Sequence, residues 1–368
     1  MTAALYLRSY VKVEIKGRGA LSNPEGRFAR REHVPDGDAL DAALREDDAP
    51  VAPRTEVHVD AARTIIARND SPDVGFDQSI NPYRGCEHGC IYCYARPSHA
   101  YLDLSPGRDF ETQIFYKPNA VELLRAELAA PKYAVRPLHI GGNTDPYQPV
   151  ERRLLVTRRI LETLLELKHP LTIITKGGLI LRDLDLLKQL AADNLVAVMV
   201  SVTTLDDELK RKLEPRTAGP RQRLNVIREL ASNGVPTGVM AAPIIPTLND
   251  HELERILEQA AAAGARSAGY VLLRLPHELK DLFEEWLREH YPDRAGHVLS
   301  LIRQMHGGSL YDSTFHGRQR GAGPFAALLR ARFERARRTL DLDRETVLNC
   351  TAFRRPPAPG GQLDLWTR

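Results

Sequence analysis

The sequence NPYRGCEHGCIYCY, at residues 81–94, decides how the rest of this chain is interpreted. It contains three of the four cysteines, Cys86, Cys90 and Cys93, with the spacing C-x3-C-x2-C. The glycines between them let the backbone fold tightly enough for three thiolates to meet around one inorganic core. A four-iron cluster in an electron-transfer protein has four protein ligands, whereas three cysteines leave one iron open to an outside ligand. The motif therefore predicts an iron–sulfur cluster at which chemistry takes place.

Three other interpretations of the cysteines remain open at this point. His88 or His99 could complete a zinc site, although His88 lies inside the tight loop and zinc ligands usually come in CxxC pairs. The cysteines could also be ordinary buried thiols. Cys350, far away in the sequence, could be a fourth cluster ligand, but a plain buried or surface thiol is the simpler interpretation.

Composition excludes little by itself. The 368 residues, 43% of them hydrophobic, suffice for one large core. With 51 basic and 48 acidic residues the net charge is +3, which neither requires nor excludes a polyanionic partner. Four cysteines are too few for a disulfide framework, so we expect a reducing compartment. Because we find no signal-like N-terminus and no long apolar stretch, we expect a soluble, cytoplasmic protein that does not associate with membranes.

From residue 136 onward, short β-branched runs alternate with longer amphipathic segments, a pattern typical of βα units. Strands are predicted just before Cys86 and at residues 138–141, 171–175, 196–203, 237–245 and 268–273. Helices are predicted between them at residues 151–168, 179–192, 221–233 and 251–263. Six such units without a GxGxxG motif favour an α/β fold with a partial (β/α)6 TIM-like barrel, whose site residues follow the strands.

The segments outside the repeats predict two extensions. Residues 1–60 are expected to form a partly disordered N-terminal extension, whose end is tethered by a strand-like run at residues 56–59 and by Ile65 and Ile66. Residues 61–276 form the predicted barrel. Residues 277–368 form a helical C-terminal extension, with helices at 279–290 and 325–342 that cover the mouth or the side of the barrel.

The C-x3-C-x-Tyr-C motif followed by βα units resembles the radical S-adenosylmethionine (SAM) superfamily. More narrowly, six segments resemble the branch that contains spore photoproduct lyase and uncharacterised relatives. They are CIYCY (90–94), GGNTD (141–145), TK (175–176), SVT (201–203), EPRT (214–217) and API (242–244). The resemblance runs from about residue 78 to 276. It implies a [4Fe–4S] cluster, S-adenosyl-L-methionine on its open iron, release of a 5′-deoxyadenosyl radical, and an electron donor such as flavodoxin or ferredoxin.

The resemblance also implies which residues bind SAM. Tyr92 would contact the adenine, the run at 141–145 the amino group, and Lys176 and Arg216 the carboxylate, while Ser201 and Thr203 would bind the carboxylate or the ribose. The implied cofactor-binding residues are Tyr92, Gly141, Gly142, Asn143, Thr144, Asp145, Lys176, Ser201, Thr203 and Arg216. Each has a plainer alternative, such as loop packing for Tyr92, a turn for Asp145, a solvated side chain for Lys176 and a surface ion pair for Arg216.

The substrate is the least determined part of the prediction. Spore photoproduct lyase uses a cysteine near the motif that follows the second predicted strand, at residues 138–141 here. This chain has Asn143 and Thr144 in that neighbourhood and no thiol. Tyr94 beside the cluster is therefore the better candidate for a catalytic hydrogen-atom relay. An arginine-rich tail at residues 318–338 makes a nucleic-acid substrate possible, although a solvated amphipathic helix is the commoner explanation of such a stretch. The loop at 311–316 could gate the mouth. The alternative function is a non-catalytic iron–sulfur or zinc protein that binds nucleic acid.

Overall fold

The main sheet of the computed structural model, which describes residues 16–29, 54–315 and 317–357, has seven strands. The strands in chain order are β1 (Glu56–Val59), β2 (Ile66–Arg68), β3 (Gln78–Ile80), β4 (Tyr83–Arg84), β5 (Gln113–Tyr116), β6 (Leu138–Ile140), β7 (Leu171–Thr175), β8 (Val196–Ser201), β9 (Thr237–Ile244) and β10 (Ser267–Leu272). Their spatial order is β10-β9-β8-β7-β6-β3-β2, and only β2 is antiparallel to its neighbour. The six parallel strands confirm the predicted partial (β/α)6 barrel.

Helices connect the parallel strands, as predicted. The described α-helices are α1 (Asp109–Thr112), α2 (Ala120–Ala129), α3 (Glu151–Leu154), α4 (Val156–Glu166), α5 (Leu184–Ala192), α6 (Asp207–Leu213), α7 (Pro220–Ser232), α8 (Leu253–Ala262), α9 (Leu279–His290), α10 (Pro292–Met305) and α11 (Gly323–Thr339). Short 3-10 helices span Arg96–Leu102, Gly178–Asp183 and Asp250–Glu252. Among residues 16–29, 54–315 and 317–357, no helix is both long and apolar enough to span a bilayer.

The helix predicted at residues 151–168 is interrupted, and one side chain explains why. Leu155 adopts a left-handed φ of 55° and separates α3 from α4. The buried Glu151 carboxylate accepts the backbone N–H groups of Thr157 and Arg158 at 3.0 and 3.3 Å, which caps α4 as a new helix. Sequence periodicity does not detect this because the break depends on the backbone conformation of Leu155 and on the buried Glu151 carboxylate.

The strands leave the barrel interior open. In β7, Leu171 and Ile173 are fully buried, whereas Thr172 and Ile174 between them are only half-buried. The same alternation holds in β8 and β9, as expected when one face packs on helices and the other lines a concave interior. The C-terminal ends of the strands therefore surround an accessible cavity.

The C-terminal extension covers the side and the bottom of this barrel. Along the side, the backbone carbonyl oxygen of Gln319 accepts the N–H of Leu272 at 2.9 Å. At the bottom, the backbone N–H of Asn349 donates to the carbonyl oxygen of Asn194 at 2.8 Å, just before β8 begins. Cys350 therefore lies at the opposite end of the barrel from the cysteine loop. The loop predicted to gate the mouth, at 311–316, stays a prediction, and His316 itself lies outside the described residues.

We expect the protein to lose stability in acid because histidines are buried in the neutral form. Burial lowers the pKa of His169 from its ordinary value of 6.5 to about 4, so the unfolded state binds more protons between these values. Stability should be complete above pH 6.5 and fall as the pH decreases towards 4. This histidine alone accounts for about 2 kcal/mol between pH 7 and pH 5.

Urea unfolding of the cluster-free protein at pH 7 and pH 5 tests this expectation. His169→Gln should flatten the pH dependence, while the same change at the exposed His297 should leave it as steep as in the wild type. If the free energy of unfolding of His169→Gln depended on pH as steeply as that of the wild type, the buried neutral histidine would not be the cause of the acid sensitivity.

Candidate active site

The three cysteines come together beyond the C-terminal ends of β3 and β6. All are free thiols; Cys86 and Cys90 are buried and Cys93 is half-buried. Burial raises the pKa of the Cys86 and Cys90 thiols well above the ordinary value, and each thiolate would raise it further for its neighbours. Buried thiolates at this spacing need compensating positive charge, which bound iron supplies. The donor set therefore fits an iron–sulfur cluster.

A mononuclear zinc site is not supported by the geometry. Among residues 16–29, 54–315 and 317–357, no group of three or more His, Cys, Asp or Glu side chains is placed to hold a single ion. The Nδ1 atom of His88 lies 3.4 Å from Asp145 Oδ2, and His99 Nε2 lies 3.0 Å from the Gln113 carbonyl oxygen. Both histidines thus have other partners, and Cys350 is at the wrong end of the barrel.

Two glycines and a glutamine shape the cysteine loop. Gly89 adopts a φ of +67°, and a Cβ atom there would lie 2.8 Å from Glu111 Oε2, so no side chain fits. Gln148, which is fully buried after β6, holds the loop on both sides of Cys86. Its amide donates to the Gly85 carbonyl at 3.2 Å and accepts the Glu87 N–H at 2.9 Å.

Arg96 holds the other side of the loop, a role that the sequence did not reveal. This arginine is fully buried and donates to the carbonyl oxygens of Cys90 at 2.9 Å and Gly89 at 3.2 Å. Its charge is neutralised by the equally buried Glu111, 2.5 Å away. A buried guanidinium with this many acceptors fixes the path of the loop between its second and third cysteines.

The described part of the predicted N-terminal extension packs on the same loop. The carboxylate of Glu111 accepts the N–H groups of Gly19 and Ala20 at 3.0 and 2.9 Å. Gly19 touches the loop so closely that a Cβ atom there would lie 1.9 Å from the Gly89 carbonyl oxygen. Residues 16–29 are therefore a structural cover of the cysteine loop; the rest of residues 1–53 lies outside the described residues.

The predicted motif at 141–145 follows β6 and faces the cysteine loop. Gly141 has a φ of +99°, and a Cβ atom there would lie 2.5 Å from the Ile174 carbonyl oxygen. Asn143 donates its N–H to Asn81 Oδ1 at 2.9 Å, and the Thr144 hydroxyl donates to the Tyr83 carbonyl at 2.9 Å. These contacts tie the motif to the segment that enters the cysteine loop.

Asp145 is held by several neighbours in the protein. Its carboxylate accepts the Thr175 hydroxyl and the Lys176 N–H, each at 2.7 Å, and the Tyr147 N–H at 2.9 Å. Although burial opposes ionisation, contact with His88 and these hydrogen bonds lower the pKa of Asp145 to about 2. Asp145 therefore joins the ends of β6 and β7 as an anion.

Lys176 points towards the cysteines. Its Nζ atom lies 5.8 Å from the centroid of the Tyr92 ring. Burial lowers the pKa of Lys176, which the Cys90 thiolate partly offsets. An ammonium group here can bind an anionic ligand beside the cluster.

A buried polar network holds the hydroxyl group of Tyr92. The Glu214 carboxylate accepts the Tyr92 hydroxyl, the Thr203 hydroxyl at 2.7 Å and the Arg223 guanidinium. Arg223 also donates to the Ser201 carbonyl at 3.0 Å. Thr203 and Ser201 are thus brought to the site, but the Thr203 hydroxyl already has protein partners.

Arg216 and Tyr94 lie on different sides of the loop. Arg216 pairs with the buried Glu87 at 3.2 Å, so its guanidinium supports the loop. Tyr94 is 45% exposed, its ring stacks 4.6 Å from the Arg274 guanidinium, and its hydroxyl donates to the Gly142 carbonyl. The surrounding protein desolvates the phenolate and raises the pKa of Tyr94 to about 12, so the hydroxyl keeps its hydrogen at neutral pH.

Comparisons with known proteins agree with this architecture. A family model described as the Radical SAM superfamily matches residues 80–260. An uncharacterised protein of Mycobacterium tuberculosis is 39% identical over 231 residues, which are 62% of this chain and 68% of that protein. The radical SAM Nalpha-GlyT isomerase of Pseudomonas phage M6 is 25% identical over 193 residues, 51% of this chain and 38% of the phage enzyme.

Solved structures show the same fold at low identity. A mutant spore photoproduct lyase with bound AdoMet and dinucleoside spore photoproduct matches with a TM-score of 0.56 and 16% identity, covering 77% of this chain and 78% of that one. A second structure, spore photoproduct lyase complexed with the dinucleoside spore photoproduct, has the same TM-score of 0.56 and the same identity of 16%, and covers 77% of this chain and 79% of that one. At this identity the likeness concerns the fold.

Proposed function

Because this chain belongs to the radical SAM superfamily, whose members use a [4Fe–4S] cluster and S-adenosylmethionine, we propose that Cys86, Cys90 and Cys93 hold this cluster. When bound, such a cluster would supply the electron for reductive cleavage of the SAM sulfonium, and the resulting 5′-deoxyadenosyl radical would take a hydrogen atom from the substrate. The convergence of the three free thiols with Lys176 at the mouth of the open barrel carries this proposal. The reducing cytoplasm suits such a site.

The residues around the cysteines divide into binding and positioning groups in this proposal. Lys176 binds the carboxylate of SAM, and the backbone of residues 141–143 approaches its amino group, because glycines leave that main chain open. Tyr92 offers its ring to the adenine. Asp145, Thr203 and Arg216 act mainly through their neighbours, since their charged or polar groups are engaged with other side chains and backbone. The backbone carbonyl of Ser201 is held by Arg223, and its hydroxyl binds the carboxylate or the ribose of SAM in this proposal.

Anaerobic reconstitution tests the proposed reaction directly. The protein should bind about four irons and release 5′-deoxyadenosine when it is supplied with SAM and dithionite. An iron-free zinc protein, or a cluster that never cleaves SAM, would instead support the non-catalytic alternative.

Tyr94 is the proposed catalytic relay that exchanges a hydrogen atom with the substrate. It lies in the mouth with an exposed ring and a protonated hydroxyl, and the cysteine used by spore photoproduct lyase has no counterpart at Asn143 or Thr144. Repair of the spore lesion itself is therefore not part of the proposal.

We expect Tyr94→Phe to uncouple SAM cleavage from substrate turnover. Without the hydroxyl, the yield of product per 5′-deoxyadenosine should fall about tenfold or more, an effect of the size seen when one proton- or hydrogen-transfer group is removed. The ratio is measured by chromatography of both products in one reaction. Tyr101→Phe, which alters an exposed hydroxyl nearby, is the matched control. An unchanged ratio in Tyr94→Phe would show that another group returns the hydrogen.

A nucleic acid is the substrate class that the rim of the mouth favours. Phe28 and Tyr101 are 49% and 70% exposed, their ring centroids lie 5.0 Å apart, and the Arg27 guanidinium stacks on both. Arg27 also donates to the Pro97 carbonyl at 3.4 Å, three residues beyond Tyr94. Exposed aromatic faces of this kind stack with bases, and the Arg27 guanidinium, which pairs with Glu278 at 2.9 Å, holds the two rings in place.

Binding of a fluorescent single-stranded oligonucleotide measures this preference. Replacing Phe28 and Tyr101 with alanine should weaken binding at least about tenfold, because stacking contributes about 1–3 kcal/mol per base. Phe315→Ala, at an exposed aromatic in the C-terminal extension that stacks on Arg318, is the control. Equal affinities in the double variant and the wild type would remove the nucleic-acid part of the proposal without affecting the SAM chemistry.

A further inference from the structure

Arg274 lies at the mouth of the barrel beside the proposed relay. It follows the last parallel strand, β10, by two residues and is half-buried. Its guanidinium carbon lies over the Tyr94 ring, 4.6 Å from the ring centroid, while the Tyr94 hydroxyl donates to the Gly142 carbonyl. These contacts hold the arginine and the phenol together at the end of the barrel where this fold carries out its chemistry.

The charge of Arg274 is not paired with a carboxylate, in contrast to other arginines at this end of the barrel. Arg27 pairs with Glu278 at 2.9 Å. Arg216 pairs with Glu87 at 3.2 Å. Among residues 16–29, 54–315 and 317–357, no carboxylate oxygen lies within 4.0 Å of the Arg274 nitrogen atoms, and its N–H groups have no hydrogen-bond acceptor there. Arg274 therefore presents a positive charge to the mouth.

The contact with Tyr94 leaves the hydrogen-bonding edge of the Arg274 guanidinium open. A guanidinium is planar and carries its five N–H donors in that plane, whereas a contact with an aromatic ring uses only its face. Arg274 can therefore bind two oxygen atoms of one anion with parallel hydrogen bonds while it stays on the Tyr94 ring. Its half-burial strengthens such bonds, because less water competes for the donors.

The carboxylates of the neighbouring segments have other partners. Glu278, four residues after Arg274, is paired with Arg27. Asp145, at the end of β6, accepts two hydrogen bonds at 2.7 Å from the end of β7. Asp312, in the C-terminal extension, accepts a backbone N–H two residues further along at 2.9 Å. None of the three forms an ion pair with Arg274.

The aromatic pair at the rim is supported by the same two segments as the relay. Arg27, which stacks on this pair, donates to the Pro97 carbonyl at 3.4 Å and is paired with Glu278. Pro97 lies three residues after Tyr94, and Glu278 lies four residues after Arg274. A chain that stacks on the rim can thus continue to the relay along these segments. Because Arg27 is already paired, the cation on this path is Arg274.

We propose that Arg274 is a phosphate-binding subsite, which holds the backbone of a single-stranded nucleic acid against Tyr94. The proposal rests on the proposed function, because it assigns the substrate group that lies next to the hydrogen-atom relay. Two N–H groups of the guanidinium bind two oxygens of one phosphate and so fix the adjoining nucleotide within reach of the Tyr94 hydroxyl.

A carboxylate of a peptide would also fit a guanidinium, but the surroundings favour a phosphate. The exposed rings at the rim offer stacking faces, which suit a chain that carries bases. A single strand joins bases and phosphates at short, regular intervals, so one ligand can occupy both the rim and Arg274.

Binding of two fluorescent strands of about ten thymidines tests the subsite, one with phosphodiester and one with uncharged methylphosphonate linkages. Arg274→Gln should weaken binding of the phosphodiester strand about tenfold or more, because it removes charged hydrogen bonds, and should leave binding of the uncharged strand unchanged. The dependence of the logarithm of affinity on the logarithm of salt concentration should become shallower by about one. Arg274→Lys, which keeps the charge without the planar fork, should retain part of the affinity.

Arg228→Gln is the matched control, since it removes an exposed arginine from α7, and it should bind both strands like the wild type. Equal weakening of both strands in Arg274→Gln would mean that the arginine only supports Tyr94, and it would overturn the proposal. Unchanged binding of the phosphodiester strand would overturn it as well. Weaker binding of a hexaglutamate peptide, with the phosphodiester strand unaffected, would assign Arg274 to carboxylates instead.

The same strands separate this subsite from the other parts of the proposed function. Alanine at Phe28 and Tyr101 should weaken both strands alike, because stacking does not need a charged backbone. A failure of the rim is therefore distinguishable from a failure of Arg274. Release of 5′-deoxyadenosine is measured on the wild type without any strand. No release there would contradict the enzymatic proposal, whereas the difference between the two strands would still decide the role of Arg274.

Discussion

Replacing Cys86, Cys90 and Cys93 together with alanine is expected to abolish both iron binding and 5′-deoxyadenosine release. The three thiols are the only cysteines near the mouth among the described residues, and they are free. Iron content after anaerobic reconstitution should fall from about four per chain to background. The loss of activity should exceed about a thousandfold, because these thiols are the proposed ligands of the cluster and SAM cleavage depends on it.

Cys350→Ala is the matched control for this experiment. Its thiol lies beside Asn349, which is bonded to Asn194 at the bottom of the barrel. Iron content and 5′-deoxyadenosine release should equal those of the wild type. Loss of the cluster in this variant would mean that Cys350 reaches the mouth, against the observed path of the tail.

Arg96→Ala is expected to cause the second large effect, a loss of about 3–5 kcal/mol in the free energy of unfolding. The substitution leaves the Glu111 carboxylate buried without its cation and frees the carbonyl oxygens of Cys90 and Gly89. Urea unfolding of the cluster-free protein measures the loss. Reconstitution should also yield less iron, since the loop is no longer fixed.

An exposed ion pair provides the comparison for Arg96. Arg125 pairs with Glu166 at the surface, and Arg125→Ala should cost only about 0–1 kcal/mol because water screens and replaces the interaction. If Arg96→Ala were no more destabilising than Arg125→Ala, the buried pair would not be what holds the loop.

The sequence predicts which segments meet at the mouth of the barrel because its signals are local. The spacing of Cys86, Cys90 and Cys93 fits within one loop, and strand periodicity placed Lys176 and the run at 141–145 at strand ends. Parallel strands bring such ends to one edge of the barrel, so their proximity follows from the pattern alone. The structure confirms the six units, and it leaves the individual contacts with SAM as proposals.

The sequence did not reveal which side chains hold these elements together. The neighbours of Asp145, Thr175 and Lys176, are about thirty positions away and use its carboxylate as an acceptor, whereas its predicted contact with SAM stays a prediction. Glu111 and Gly19 are separated by 92 residues, and nothing in either segment marks the other as a partner. Buried polar pairs of this kind arise only when distant segments exclude water together.

The sequence by itself thus predicted the kind of centre, from the cysteine spacing, and the succession of six βα units, from the hydrophobic period, because both are properties of short segments. Only the tertiary structure decided that Arg96, Glu111 and Gln148 fix the loop, that residues 16–29 cover it, and that Cys350 lies at the far end. These outcomes depend on desolvation and on long-range packing, which exist only once the chain has folded.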